Sequence, residues 1–160
     1  MQEYSSLKSE PPALLNTDAE LKSNGWPQRG DLQVFNANMR YRENFPLVLK
    51  NVSFEVGAGM KIGVVGRTGA GKSSLLKILF RLSECEPGSQ ILIDEVKTRE
   101  IGLRTLRKAV SIIPQSPFIF EGTVRENLDP FLEYEDQDLW EVLSDVQLKE
   151  YVMSFRKGLK

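Results

Sequence analysis

Gly66-Arg67-Thr68-Gly69-Ala70-Gly71-Lys72-Ser73 matches the pattern G-x-x-x-x-G-K-[ST] at every fixed position. Upstream, Met60 to Val65 is a short, mostly apolar run, which predicts a buried strand. Downstream, Leu75, Leu76, Leu79 and Leu82 recur at helical spacing, predicting a helix from about Gly71 to Ser83 that stops before Pro87-Gly88. Strand, glycine-rich loop and helix in that order form a phosphate cradle. The glycines permit backbone angles that other residues avoid and let amide N–H groups close around an anion. The helix points its partial positive charge at the same place. Lys72 is suited to bridge the β- and γ-phosphates of a nucleotide, and Ser73 to offer its hydroxyl to Mg2+. The candidate site is therefore Gly66, Arg67, Thr68, Gly69, Ala70, Gly71, Lys72, Ser73 and Ser74, with ATP and Mg2+ as the expected cofactors and Ser73 as a metal ligand.

Outward from this loop, Leu32 and Val34 alternate with polar neighbours, and Val52, Phe54 and Val56 do so more cleanly, predicting half-buried strands. Gly57-Ala58-Gly59 reads as a turn, and Ile91-Leu92-Ile93 and Val110 to Ile113 as further strands. Thr123-Val124-Arg125-Glu126 fits a capping box. The helix it starts must be brief, because Asp129 precedes Pro130. Asp136 or Asp138 can cap a last helix carrying Leu139, Trp140, Leu143 and Val146. Residues 1–30 are polar, hold Pro11, Pro12, Gly25, Pro27 and Gly30, and read as a linker or extended arm that Leu14, Leu15 and Trp26 could pin to the domain at 31–160.

The 160 residues carry a formal net charge of −1, which supplies no basic field for nucleic acid or an anionic membrane surface. Arg99, Arg104, Arg107 and Lys108 read as a solvated face. The single cysteine, Cys85, excludes an intrachain disulfide, and the absence of histidine excludes histidine catalysis or ligation. No apolar run reaches the roughly 18 to 20 residues that span a bilayer.

Hydrolysis in a P-loop enzyme needs an apolar strand ending in Asp, often followed by Glu. Ile91-Leu92-Ile93-Asp94-Glu95 has that outline, but only three apolar residues precede the pair, and Lys97, Arg99 and Glu100 follow at once. An exposed hairpin is the expectation, with no catalytic residue assigned.

Several further stretches resemble the nucleotide-binding domain of ABC transporters, specifically the second such domain of the C subfamily, the multidrug-resistance-associated type. They are Trp26-Pro27-Gln28-Arg29-Gly30, Met39-Arg40-Tyr41-Arg42, Leu47 to Phe54, Ser111-Ile112-Ile113-Pro114-Gln115, and Gly122 to Phe131 with its Asn127-Leu128-Asp129-Pro130-Phe131 run. Glu3-Tyr4 and the arm to Pro11 look like the end of a preceding transmembrane domain. The resemblance implies an α/β fold: a P-loop NTPase (ABC ATPase) core, an antiparallel β subdomain and the start of a helical subdomain, incomplete at Lys160.

It also implies that Tyr41 stacks on adenine, where its plain alternative is a strand aromatic filling the core. Gln115 would help hold Mg2+ and report nucleotide state. Ser116 and Glu95 stand where the family usually has Asp and Gly. The family's signature motif, Asp-Glu metal strand and switch histidine are not found, so the chain reads as a fragment in which turnover is uncertain. The implied partners are ATP, the transmembrane domains and the other nucleotide-binding domain of a transporter, with no nucleic acid. The implied location is the cytoplasmic face of a membrane, reached through the transporter. The rival reading is a module that binds ATP or docks on a transporter without hydrolysis. A GTPase is disfavoured because no Asn-Lys-x-Asp motif is present.

Overall fold

The two alternating segments become the longest strands. β1 (Leu32–Met39) pairs antiparallel with β2 (Leu49–Val56) on one edge and with β3 (Gln90–Ile93) on the other. β3 turns back into the short β4 (Val96–Lys97), giving the order β2-β1-β3-β4. This computed structural model describes residues 9–160; Glu3 and Tyr4 lie outside the described residues. The chain divides into two compact units, Met1–Ile112 and Ile113–Lys160.

In the first unit, α1 (Thr17–Ser23) precedes the sheet, α2 (Lys72–Leu79) packs on it, and α3 (Leu103–Ala109) follows a 3-10 turn at Thr98–Glu100. Val34, Ala37, Met39, Leu49 and Ile91 form one core with Ile78 of α2, and Leu75 and Leu79 lie partly buried against it. Cys85 joins this core, and burial pushes its thiol up to about 11.

The helix after the phosphate loop ends at Leu79, four residues short of the expectation. Its end is a Schellman motif: Arg81 N–H donates to Ile78 O and Leu82 N–H to Lys77 O. Arg81 takes the left-handed position, at φ +49°, that glycine usually fills. Its buried guanidinium compensates, donating to Thr98 O at 2.9 Å and Ile101 O at 3.0 Å and pairing with Glu84. The expected solvated face holds for Arg99, Arg104 and Lys108, which are exposed, while Arg107 is half-buried. Arg107 donates to Phe80 O and Arg81 O at the end of this helix, where carbonyls lack helical partners, and Arg99 donates to Cys85 O.

Two predicted strands do not form. Met60 to Val65 runs without regular structure, with Val65 96% exposed. Val110 caps α3, and Ile112 and Ile113 enter no ladder, with Ile113 95% exposed. An apolar run becomes a buried strand only when other strands lie beside it, and no described strand pairs with either segment.

The arm is not simply extended. It contains α1 and is fastened at several points. Pro12 O and Ala13 O accept the Leu103 and Arg104 N–H groups of the α3 first turn. The buried Asp18 carboxylate accepts the N–H groups of Leu15 and Gly102, each at 2.9 Å. Trp26 Nε1 donates to Ile93 O at 3.0 Å, so Trp26 pins the arm as expected, whereas Leu14 stays exposed.

In the second unit, α4 (Val124–Leu128) starts with the predicted capping box. Glu126 N–H donates to Thr123 Oγ1, and Thr123 N–H donates to Glu126 Oε2. α5 (Asp136–Asp145) is preceded by Glu135, whose N–H donates to Asp138. A further helix, α6 (Lys149–Met153), is absent from the sequence reading. Leu139 and Leu143 meet Val152 and Leu159 in the core of this unit, while Val146 is exposed.

Candidate functional site

Residues 66–70 are exposed and carry the loop across to α2. Gly69 at φ +82° and Gly71 at φ +92° take angles costly for any residue with a side chain. A Cβ on Gly71 would also lie 3.0 Å from Leu49 Cδ2 and 3.4 Å from Val48 O, so β2 sets how closely the loop can approach. Gly71 is the N-cap of α2, no side chain caps that end, and no acidic residue lies in its first turn. The helix therefore presents backbone N–H groups and a positive dipole end without an internal anion to neutralise them.

Lys72 opens α2 and turns back over the loop. Its ammonium donates to Gly66 O at 2.5 Å and Arg67 O at 2.9 Å. Ser73, beside it, is exposed, whereas Ser74 is buried. Ser74 Oγ lies 2.9 Å from the Tyr41 hydroxyl, and Lys77 Nζ stands 4.8 Å from the centre of the Tyr41 ring. Tyr41 itself lies just after β1 and is 50% exposed, so it does not fill the core. The bond to Ser74 and the nearby Lys77 ammonium hold its phenol below the usual range, against the upward push of partial burial.

The structure thus places Lys72, Ser73 and Ser74 in the first turn of α2 and sets Tyr41 along the helix against Ser74 and Lys77. Gln115 lies in the second unit, in an exposed stretch without regular structure. The sequence reading does not single out Lys77; its three-residue spacing from Ser74 on a predicted helix is the signal that marks it.

Asp94 and Glu95 have a different job. They are the two turn residues between β3 and β4, at φ +46° and +66°. The Asp94 carboxylate accepts N–H groups from Gln28 at 2.7 Å, Arg29 at 2.9 Å and Asp31 at 2.8 Å. Burial pushes its pKa up, but the backbone donors, Arg29 first, outweigh it and hold the carboxyl below its usual range. Asp94 is a hairpin anchor for the arm. Among the described residues no cluster of three or more His, Cys, Asp or Glu side chains is placed to hold a metal ion.

The family profile described as ABC transporter matches residues 49–157, which include the glycine-rich loop, α2 and most of the second unit. The chain belongs to the ABC transporter family. Among similar proteins, mouse ATP-binding cassette sub-family C member 4 is 49% identical over 153 residues, covering 94% of this chain and 11% of that protein. ABC transporter C family member 6 of Arabidopsis thaliana is 45% identical over 160 residues, covering 100% of this chain and 11% of that protein. This ABC chain therefore spans about a tenth of the length of the curated relatives it matches. Its fold is similar to that of a bacterial Atm1-family ABC exporter solved with ATP bound. The TM-score is 0.77 at 24% identity, over 96% of this chain and 25% of that one. The α/β ABC ATPase fold class follows, with the antiparallel sheet as its regular β part. Among the described residues of this ABC chain, no helix is long and apolar enough to cross a membrane.

Proposed function

We propose that the chain binds ATP with Mg2+ as part of a nucleotide-binding domain of an ATP-driven ABC exporter, the second such domain of a subfamily C transporter. Residues 1–30 then serve as the link from a transmembrane domain and 31–160 as the front of the nucleotide-binding domain. The observation that carries the reading is the N-terminus of α2. Gly71 holds it in a left-handed turn, no side chain caps it, and the Lys72 ammonium folds over the loop that leads into it. Gly66 to Ser74 surround the phosphates with backbone N–H groups, and Lys72 exchanges its carbonyl partners for phosphate oxygens. The Ser73 hydroxyl, exposed at the first turn, suits a hard cation such as Mg2+. Gln115 is the second ligand implied by the family resemblance. Tyr41 is the stacking platform for adenine. Bound Mg2+ neutralises phosphate charge and fixes the phosphates in place; the residues named here orient them. The partners are the transmembrane domains and a second nucleotide-binding domain, which hold the chain at the cytoplasmic face of a membrane.

The second reading, binding without turnover, is favoured by Asp94. The one apolar run ending in Asp-Glu places its aspartate against arm N–H groups in a hairpin turn.

Calorimetric titration of MgATP into the 160-residue chain tests the main reading. Lys72→Ala should weaken binding by ~1.5–3 kcal/mol, about ten- to a hundredfold. Unchanged affinity would remove the P-loop assignment.

A further inference from the structure

Ser74 and Lys77 stand three residues apart on α2, which puts both side chains on one helix face. Tyr41 meets both. Its hydroxyl lies 2.9 Å from the buried Ser74 Oγ and 3.4 Å from Lys77 Nζ, and the same ammonium stands 4.8 Å from the ring centre. An ammonium within about 6 Å of a phenol face is the geometry of a cation–π contact. Tyr41 comes from a loop and is half exposed, so packing alone does not fix its ring. The ring is instead held at its tip by a hydroxyl of the phosphate-loop helix and over its π-surface by a cation from the next turn.

We infer that Lys77 is a positioning residue that grips one face of Tyr41 and presents the other face to the base of the bound nucleotide. The inference rests on the reading of Tyr41 as the base platform. The ligand class is a nucleoside triphosphate of either purine, because stacking on a phenol does not read base edges. Through Ser74 and Lys77 the platform is registered directly against α2, the helix whose N-terminus receives the phosphates. Base and phosphates are thus held by one rigid element rather than by two independent loops.

The test compares the 160-residue chain with Lys77→Met, Lys77→Arg, Tyr41→Ala and the double variant Tyr41→Ala/Lys77→Met. Calorimetry is run with MgATP, MgGTP and magnesium tripolyphosphate, which keeps three phosphates and lacks base and ribose. Methionine keeps a helix-forming, flexible stem and removes the ammonium, with both its charge and its N–H donors. Lys77→Met should bind ATP and GTP about two- to fivefold more weakly, the scale of an exposed cation–π contact, with tripolyphosphate unchanged. Lys77→Arg should restore binding. In the Tyr41→Ala background, the lysine change should add nothing. An equal loss for tripolyphosphate would make Lys77 a general phosphate charge and overturn the inference. A loss in Tyr41→Ala with none in Lys77→Met would remove the role of Lys77 alone. No loss in Tyr41→Ala would remove the base platform and the inference with it.

Discussion

The Asp18 carboxylate accepts the Gly102 N–H at 2.9 Å, joining residues 84 apart in sequence at the start of α3. Gly102 has an ordinary φ of −64°, so its constraint is space rather than backbone angle. A Cβ there would lie 2.3 Å from Asp18 Oδ2, 2.6 Å from Ala13 O and 2.7 Å from Leu14 Cα. Two of those atoms belong to the backbone and cannot rotate aside. Gly102→Ala should therefore lift the arm and cost ~1–3 kcal/mol, the range for overpacking a tight site. Thermal unfolding and limited proteolysis within residues 9–30 measure both effects. An unchanged melting temperature with an uncut arm would contradict the contact.

Asp18 also sets an acid limit. Burial pushes its pKa up, and the N–H groups of Gly102 and Leu15 with the nearby Lys22 charge more than reverse that, so the folded value lies below the ordinary one. A depressed folded pKa contributes stability that is present above the unfolded value, near pH 4, and lost as pH falls through the folded value. Melting temperature should therefore drop as pH is lowered from about 4. Asp18→Asn should be less stable at neutral pH and show a shallower acid slope. Parallel slopes for the two proteins would show that this carboxylate does not govern the transition.

Asp94 anchors the other end of the arm, with its carboxylate facing three N–H groups. Asp94→Asn replaces one carboxylate oxygen by an amide nitrogen, which cannot accept from them. The expected cost is ~1–3 kcal/mol of stability, with ATP affinity and any phosphate release unchanged. Phosphate release by the chain that Asp94→Asn abolishes would give the residue a catalytic role instead.

The stretch 60–65 lies open. Met60, Ile62 and Val64 are each at least half exposed, and the backbone joins no ladder among the described residues. Exposed apolar backbone of this kind invites pairing with other chains. Val65→Lys should reduce binding of a hydrophobic dye and slow aggregation of the 160-residue chain while leaving its melting temperature within about 1 °C. A large drop in melting temperature would mean that Val65 is part of a packed core.

Much of the site was legible because its signals are local. Gly69 and Gly71 occupy left-handed turns, and the helix begins at Lys72, as loop chemistry requires. The residue before Pro130 stops α4, and Thr123 and Glu126 cap each other within one turn. Tyr41 enters the candidate site only by resemblance; a lone aromatic after a strand also reads as core. The pairing of Tyr41 with Ser74 and Lys77 spans a long stretch of chain and leaves no local mark.

Sequence by itself determined the glycine-rich loop that opens α2, the alternating strands β1 and β2, and the hairpin that makes Asp94 and Glu95 turn residues. Each depends on backbone angles and periodicity within a few residues. Tertiary structure alone decided whether Met60 to Val65 and Val110 to Ile113 became strands, because a strand is defined by its neighbours and no described neighbour lies beside them. It also decided the fate of the arm. Asp18 sits in a polar segment that reads as an arm, yet it is buried, with its carboxylate accepting the Leu15 and Gly102 N–H groups. Only the folded chain brings the second of those donors within reach, since a hydrogen bond between distant residues depends on where the chain returns rather than on either residue's own preference.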